Sequence, residues 1–169
     1  EHVMGTKEPR VAIVNIGAEE EKGNALVKET FPLLKECKGI NFTGSIGSQE
    51  IPHGGADVIV CEAFVGNVIL KLYEGVGATL ISMVKAGMNA PPAQQDWRPL
   101  VKPALKETLK SFDGSQYGGA PAGLKGLVVK THGNSKRTEV RNSIIQCVTF
   151  KEQDINGKIQ QCLNVQNEE

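Results

Sequence analysis

One short grammar occurs three times in this chain: an apolar, β-branched run, a loop containing glycine, and then a stretch with helical periodicity. VAIVNIG leads into EEEKGN, DVIVC into EAFVGN, and GLVVK into THGNS. Runs of that kind suit strands covered on both faces, as in parallel sheets, and parallel strands need long crossovers, usually helical. The order therefore predicts an α/β fold whose three loops lie at the carboxyl edge of a parallel sheet, the edge where open α/β folds bind ligands.

The elements follow from periodicity and punctuation. Residues 11 to 16 and 40 to 46 read as strands, and DVIVC begins a third at Asp57. A helix from about Lys22 carries Leu26, Thr30, Leu33 and Cys37 inward, with a kink or restart at Pro32 and a stop at Gly39. A second helix opens at Gly66 and Asn67, with Asn67 as its N-cap. From Val68 it is apolar around most of its circumference, which places it deep in the protein or at a subunit interface. NAPPAQQDWRP, 89 to 99, breaks it. Val101, Leu105, Thr108 and Phe112 then define an amphipathic helix, completing a helical hairpin over about 67 to 112 that projects from the domain. Lys102, Lys106 and Lys110 form a row on another of its faces, either a solvated row or a dock for an acidic partner. GLVVK, 126 to 130, is a further strand. Two helices close the chain, one from about Lys136 with Val140, Ile144, Cys147 and Val148 inward, the last with Ile155, Ile159, Cys162 and Leu163 inward.

Composition narrows the classes. A chain of 169 residues suits one folding unit, and 40% hydrophobic with 22% charged residues is ordinary for a packed globular domain. Basic and acidic residues balance at 19 each, which excludes a broad basic field for nucleic acid. No stretch reaches the run of about 18 apolar residues needed to span a bilayer. No signal segment opens the chain, so a cytoplasmic protein is expected. Cys37, Cys61, Cys147 and Cys162 lack metal or redox spacing and are expected to be reduced and mostly buried. The opening EHVMGTKEPR reads like the tail of a helix and a turn, as in a fragment or a processed chain.

The loops hold the candidate chemistry. The first N–H groups of a helix lack internal partners and carry the positive end of its dipole, which suits an anion. Gly66 would let a ligand approach the backbone, and Lys71, four residues beyond Asn67, would reach back over the same loop. Lys22 and Asn24 stand at another helix start, and Lys130 ends the GLVVK run. His132, followed by Gly133, Asn134 and Ser135, is placed to exchange a proton near neutral pH. Glu19, Glu20 and Glu21 read as a solvated loop, and Cys61 as a packing residue. On these grounds alone the edge could hold a phosphate, a nucleotide or nothing.

Five blocks together, PRVAIVNIG with KGN, INFTGSI, DVIVCEAFVGNVILK, YGGAP and VVKTHGNS, resemble in content and order the C-terminal half of the PlsX family, bacterial phosphate acyltransferases of phospholipid synthesis. The resemblance covers almost the entire chain. It implies a three-layer α/β/α Rossmann-like sandwich, similar to isocitrate and isopropylmalate dehydrogenases and incomplete in this chain, so that residues 1–169 form the C-terminal portion of one acyltransferase domain. It also implies a homodimer that converts long-chain acyl-[acyl carrier protein] and inorganic phosphate to acyl phosphate, with no cofactor or metal, and a weak peripheral contact with the membrane. Phosphate is itself the nucleophile there, so the protein must hold a dianion beside a thioester and stabilise the oxyanion. Asn67, Lys71 and His132 would be catalytic on that reading, with His132 protonating the departing thiolate. Gly66, Asn67, Gly133, Asn134, Ser135, Lys22, Asn24 and Lys130 would line the phosphate and thioester site. Two segments depart from the family pattern: Glu62-Ala63 stands in place of Asp-Gly, and PPAQQDW in place of an apolar hairpin tip. Two alternatives stay open, a short-chain phosphate acetyltransferase-like enzyme and a non-catalytic binding or dimerisation module of the same fold.

Overall fold

β1 (Arg10–Asn15) is the central strand of a three-stranded sheet, flanked by β2 (Asn41–Gly47) and β3 (Val58–Val60), both parallel to it. The computed structural model describes residues 5–89, 103–104, 118–120, 124–133 and 135–167. Val11, Ala12 and Ile13 are buried in β1, as expected for a strand covered on both faces. The β1–β2 register shifts between Val11 and Ala12, where Thr43 is the extra residue. Gly44 absorbs that bulge at φ +99°, and the Thr43 hydroxyl donates to the Val11 carbonyl at 3.1 Å.

At the amino edge of the sheet Arg10 ties β1 to the approach of β3. Its Nε and Nη2 donate to the two Asp57 carboxylate oxygens, each at 3.0 Å, and its backbone N–H donates to the same group at 2.8 Å. The guanidinium also reaches the carbonyl oxygens of Gly54 and Gly55. Asp57 N–H returns a bond to the Arg10 carbonyl at 2.9 Å. That arrangement pulls the Asp57 carboxyl down to about 2 through the Arg10 hydrogen bonds.

α1 (Ala25–Glu36) crosses from β1 to β2 and starts three residues later than Lys22, because Asn24 caps it. Pro32 sits inside the helix without ending it, and the element runs on to Glu36. The inward stripe is also different from the expected one. Phe31 is buried and meets the Phe42 ring of β2 edge to face at 5.2 Å, while Leu26 and Leu33 are exposed. Residues 48–57, with a 3₁₀ turn at Ile51–His53, connect β2 to β3.

α2 (Ala63–Asn89) begins four residues before Asn67. It is not deep in the described fold: Phe64, Leu72 and Met83 are exposed, and only 6% of its most apolar window is buried. Among the described residues it is the one helix whose Ala63–Gly87 stretch is long and apolar enough to cross a membrane, with a mean hydropathy of 1.3. Length and composition are all that support a span, and Lys71, Glu74 and Lys85 interrupt it. Most of the expected second half of the hairpin, including Val101, Leu105, Thr108, Phe112 and the lysine row, lies outside the described residues.

The chain divides into two compact units, Glu1–Lys71 and Leu72–Glu169, with the division falling inside α2. In the second unit α3 (Arg137–Glu152) and α4 (Ile155–Asn167) are joined by a tight link, with Asp154 at φ +48°. Phe150 and Ile155 are buried at that corner. The expected inward residues Val140, Ile144, Val148 and Leu163 are instead exposed; Ser143 and Phe150, seven residues apart, mark the buried stripe of α3. GLVVK forms no ladder strand. Lys130 alone bridges, antiparallel, to Gly119, so the run pairs with the glycine loop before it. The structure is thus α/β with a small parallel sheet and helices. All four cysteines are free thiols, with Cys61 and Cys162 exposed rather than buried.

Candidate functional site

β1, β2 and β3 end at Asn15, Gly47 and Val60, and these ends define the carboxyl edge of the sheet. Asn15 is a buried polar residue, only 6% exposed, and its amide is fully used. Its Nδ2 donates to the Lys22 carbonyl and to Ser45 Oγ, each at 3.1 Å, while its Oδ1 accepts from Ile16 N–H at 2.8 Å. One side chain therefore fastens the loop 16–24 and β2 to the end of β1, and leaving those groups unpaired would be costly. Gly23 completes the clamp. Its φ is +104°, and a Cβ there would come within 2.7 Å of Asn15 Oδ1 and 3.0 Å of Val27.

The clamp presents Asn24, whose Oδ1 accepts from Val27 N–H at 2.9 Å and caps α1. No acidic residue lies in the first turn of α1. Lys22 precedes it with Nζ 2.7 Å from Glu19 Oε1, and that hydrogen bond holds the Glu19 carboxyl below the usual carboxylate range. Glu20 pairs with Lys35 at 2.8 Å. The glutamate loop is thus exposed, as expected, and two of its three carboxylates are ion-paired.

The junction of β3 with α2 is built differently from the expected one. Glu62, not Asn67, closes the helix start: Oε2 accepts from Phe64 N–H and Oε1 from Val65 N–H, both at 2.6 Å. The first helical bond runs from Gly66 N–H to the Glu62 carbonyl at 3.0 Å, so Gly66 is already inside the first turn. A Cβ on Gly66 would face Cys61 Sγ at 3.0 Å; the close approach there is to the chain's own thiol. Partial burial pushes the Cys61 thiol up, and the adjoining Glu62 carboxylate adds to it, which keeps the sulfur protonated and poorly nucleophilic. Asn67 and Lys71 are exposed, one helical turn apart on one face. Their Cα atoms lie about 6 and 12 Å along the axis from Ala63 at 1.5 Å per residue, so only Asn67 is near the helix start.

Between the two junctions lies a cavity of about 210 Å³. Ile13, Val14, Leu26, Val27, Val60 and Val65 line it with hydrocarbon, and Thr30 adds a hydroxyl. Asn24, Cys61 and Glu62, at the ends of the two loops, bring the remaining polar atoms.

The other expected site residues belong to the second unit. Lys130 exchanges both backbone hydrogen bonds with Gly119, at 2.7 and 2.9 Å, and its side chain is exposed. His132 is exposed, and its carbonyl accepts from Ser135 N–H at 3.1 Å across the turn containing Gly133. Asn134 lies outside the described residues. The residue that organises this segment is Gln146 of α3, whose amide takes Gly118 N–H at 2.8 Å and donates to Gly118 O at 3.1 Å. Gly118 has no room for a side chain, with Val129, Lys130 and Ser143 all within 3.0 Å of a Cβ position.

Sequence reasoning missed Asn15, Glu62 and Gln146. Asn15 had a signal, a polar residue closing an apolar run before glycine; the partners of Gln146 are 28 residues away and left none. Among the described residues no group of three His, Cys, Asp or Glu side chains gathers as metal ligands would.

Comparison with known proteins adds a family. Residues 1–158 match the model of a family described as fatty acid synthesis protein. A phosphate acyltransferase of Clostridium perfringens is 46% identical over 158 residues, covering 93% of this chain and 47% of that protein. Proteins of the same name from Clostridium acetobutylicum and Brevibacillus brevis are 44% and 41% identical, covering 99% and 96% of this chain. The chain spans about half the length of these relatives.

Proposed function

The chain belongs to the fatty acid synthesis protein family, the PlsX phosphate acyltransferases, and from that premise we propose that the intact protein transfers an acyl group from a long-chain acyl-carrier-protein thioester to inorganic phosphate. The observation that carries the reading is the 46% identity, across 93% of the chain, to a protein named for acyl transfer to phosphate. A Rossmann-like three-layer sandwich, a homodimer and a cytoplasmic enzyme with peripheral membrane contact belong to the same reading.

In the transfer a phosphate oxygen attacks the thioester carbonyl carbon. The C–O bond forms, the carbonyl oxygen becomes an oxyanion, and collapse expels the carrier thiolate. What the protein contributes is position and charge. We assign phosphate to the start of α1, where Lys22 and the Ala25 and Leu26 N–H groups meet no first-turn carboxylate. Phosphate must there compete with Glu19 for the Lys22 ammonium, which a dianion is equipped to do. Asn67, with Lys71 behind it, is assigned to the carbonyl oxygen, and Gly66 keeps that turn of α2 slim. His132, with its sequence neighbours Lys130, Gly133, Asn134 and Ser135, is kept in this reading as the candidate proton donor to the thiolate.

The test is acyl phosphate formation by the intact protein. Consumption of long-chain acyl carrier thioester only when phosphate is present is the expected result, with Lys22→Ala and Asn67→Ala each slowing turnover at least tenfold. A preference for acetyl-CoA would select the short-chain enzyme instead. No turnover together with no protection by phosphate against unfolding would leave the binding module.

A further inference from the structure

We propose that the cavity between β1, α1 and the start of α2 receives a segment of the acyl chain, and that Leu26 and Thr30 of α1 set how much chain it takes. The inference rests on the acyl-transfer reading and adds to it a site for the hydrocarbon. The cavity lies wholly within the first unit, and six of its ten lining residues are aliphatic. Water against its aliphatic walls finds few polar partners, and the lining gains contacts when an apolar group enters. At about 210 Å³ it falls below the roughly 300–1,000 Å³ of pockets that enclose whole small molecules, so it suits part of a larger one.

The position of the polar atoms selects the class of occupant. Asn24 and Glu62, which cap the two helices, and Cys61 beside Glu62 are the lining residues that belong to the two junctions. A carbonyl held at that edge therefore has an apolar space beside it. A chain with hydrocarbon on one side of the carbonyl and a polar carrier on the other matches that division. A nucleotide base fits it poorly, because its several polar ring edges would meet aliphatic walls on which, away from the two junctions, the Thr30 hydroxyl is the one polar group lining the cavity. The α1 wall from Asn24 to Thr30 is about 9 Å long at 1.5 Å per residue, which makes Thr30 the far end and Leu26 the near one.

The experiment compares thioesters of graded chain length on the intact protein. Thr30→Leu fills the far end, and we expect it to lower kcat/KM for the longest chain relative to the shortest by about tenfold, the low end of what one methylene is worth in an apolar pocket. Leu26→Ala, at a half-exposed helical position where alanine is well tolerated, should move the profile the other way. Wild-type activity with both profiles unchanged would overturn the cavity assignment and leave the transferase reading standing. If the wild type forms no acyl phosphate with any chain, the transferase reading falls, and binding of a fluorescent long-chain fatty acid then decides the cavity by itself. Weaker binding in Thr30→Leu supports it, and equal binding overturns it.

Discussion

The starts of α1 and α2 stand at the same edge of one sheet, and they are closed by different chemistry. α1 is capped by the neutral amide of Asn24, which takes a single N–H. α2 is capped by the carboxylate of Glu62, which takes two. Both helices present a positive dipole end, yet at α2 the anion that this end favours is already part of the chain. KGN and VGN look alike as strings and are not alike in space. In the first the glycine and asparagine precede the helix; in the second they lie inside it. An external anion therefore has more to gain at α1.

The largest expected effect separates the two glycines. Gly23→Ala must hold a side chain at φ +104° with its Cβ 2.7 Å from Asn15 Oδ1, and we expect a loss of about 2–3 kcal/mol in denaturant unfolding. Gly66→Ala meets only the Cys61 sulfur at 3.0 Å and gains helix propensity of about 1 kcal/mol, so a net change within about 1 kcal/mol is expected. Equal losses at the two positions would erase the distinction between a glycine that shapes a loop and one that only eases packing.

A smaller effect comes from the caps. Asn24→Ala and Glu62→Ala should each cost about 1 kcal/mol in unfolding free energy. Their response to phosphate should differ. The wild type and Glu62→Ala should both be protected, the second more strongly because two α2 amides are released, whereas Lys22→Ala should lose most of the protection. Protection that survives Lys22→Ala and vanishes in Lys71→Ala would reverse the assignment.

Why the sequence conveyed some of this and not the rest has physical causes. β1 and β2 were legible to within a residue because β-branched runs bounded by glycine leave little freedom. The α2 start was misplaced because glutamate is not among the preferred capping residues, whereas Asn67 is. The inward face of α1 was misphased because two apolar stripes were available, and the choice depended on Phe42, a residue of another strand. Asn15 was legible only as a polar end to a run, since its partners, Lys22 and Ser45, are supplied by the fold. GLVVK has the composition of a strand, but a strand needs a ladder, and composition does not name the neighbour.

The smallest expected effect sharpens the contrast between the two edges of the sheet. Asn15 holds the carboxyl edge without charge, whereas Arg10 and Asp57 hold the amino edge as an ion pair. In the unfolded chain Asp57 takes up a proton near 3.8; in the fold its carboxyl is drawn down to about 2. Between those values the unfolded state binds more protons, so stability rises with pH there. The contribution is complete above about pH 4 and is lost as the pH falls through about 2. Asp57→Asn should therefore flatten the acid limb of a stability curve measured from pH 5 to 2, and the effect should be modest because both side chains are exposed and screened. Glu19 is shifted in the same direction by Lys22, so part of the acid limb should remain until Glu19→Gln is added. An Asp57→Asn curve that runs parallel to the wild type throughout would mean that the ion pair adds nothing beyond the backbone bond between Asp57 and Arg10 and the guanidinium's bonds to the Gly54 and Gly55 carbonyls.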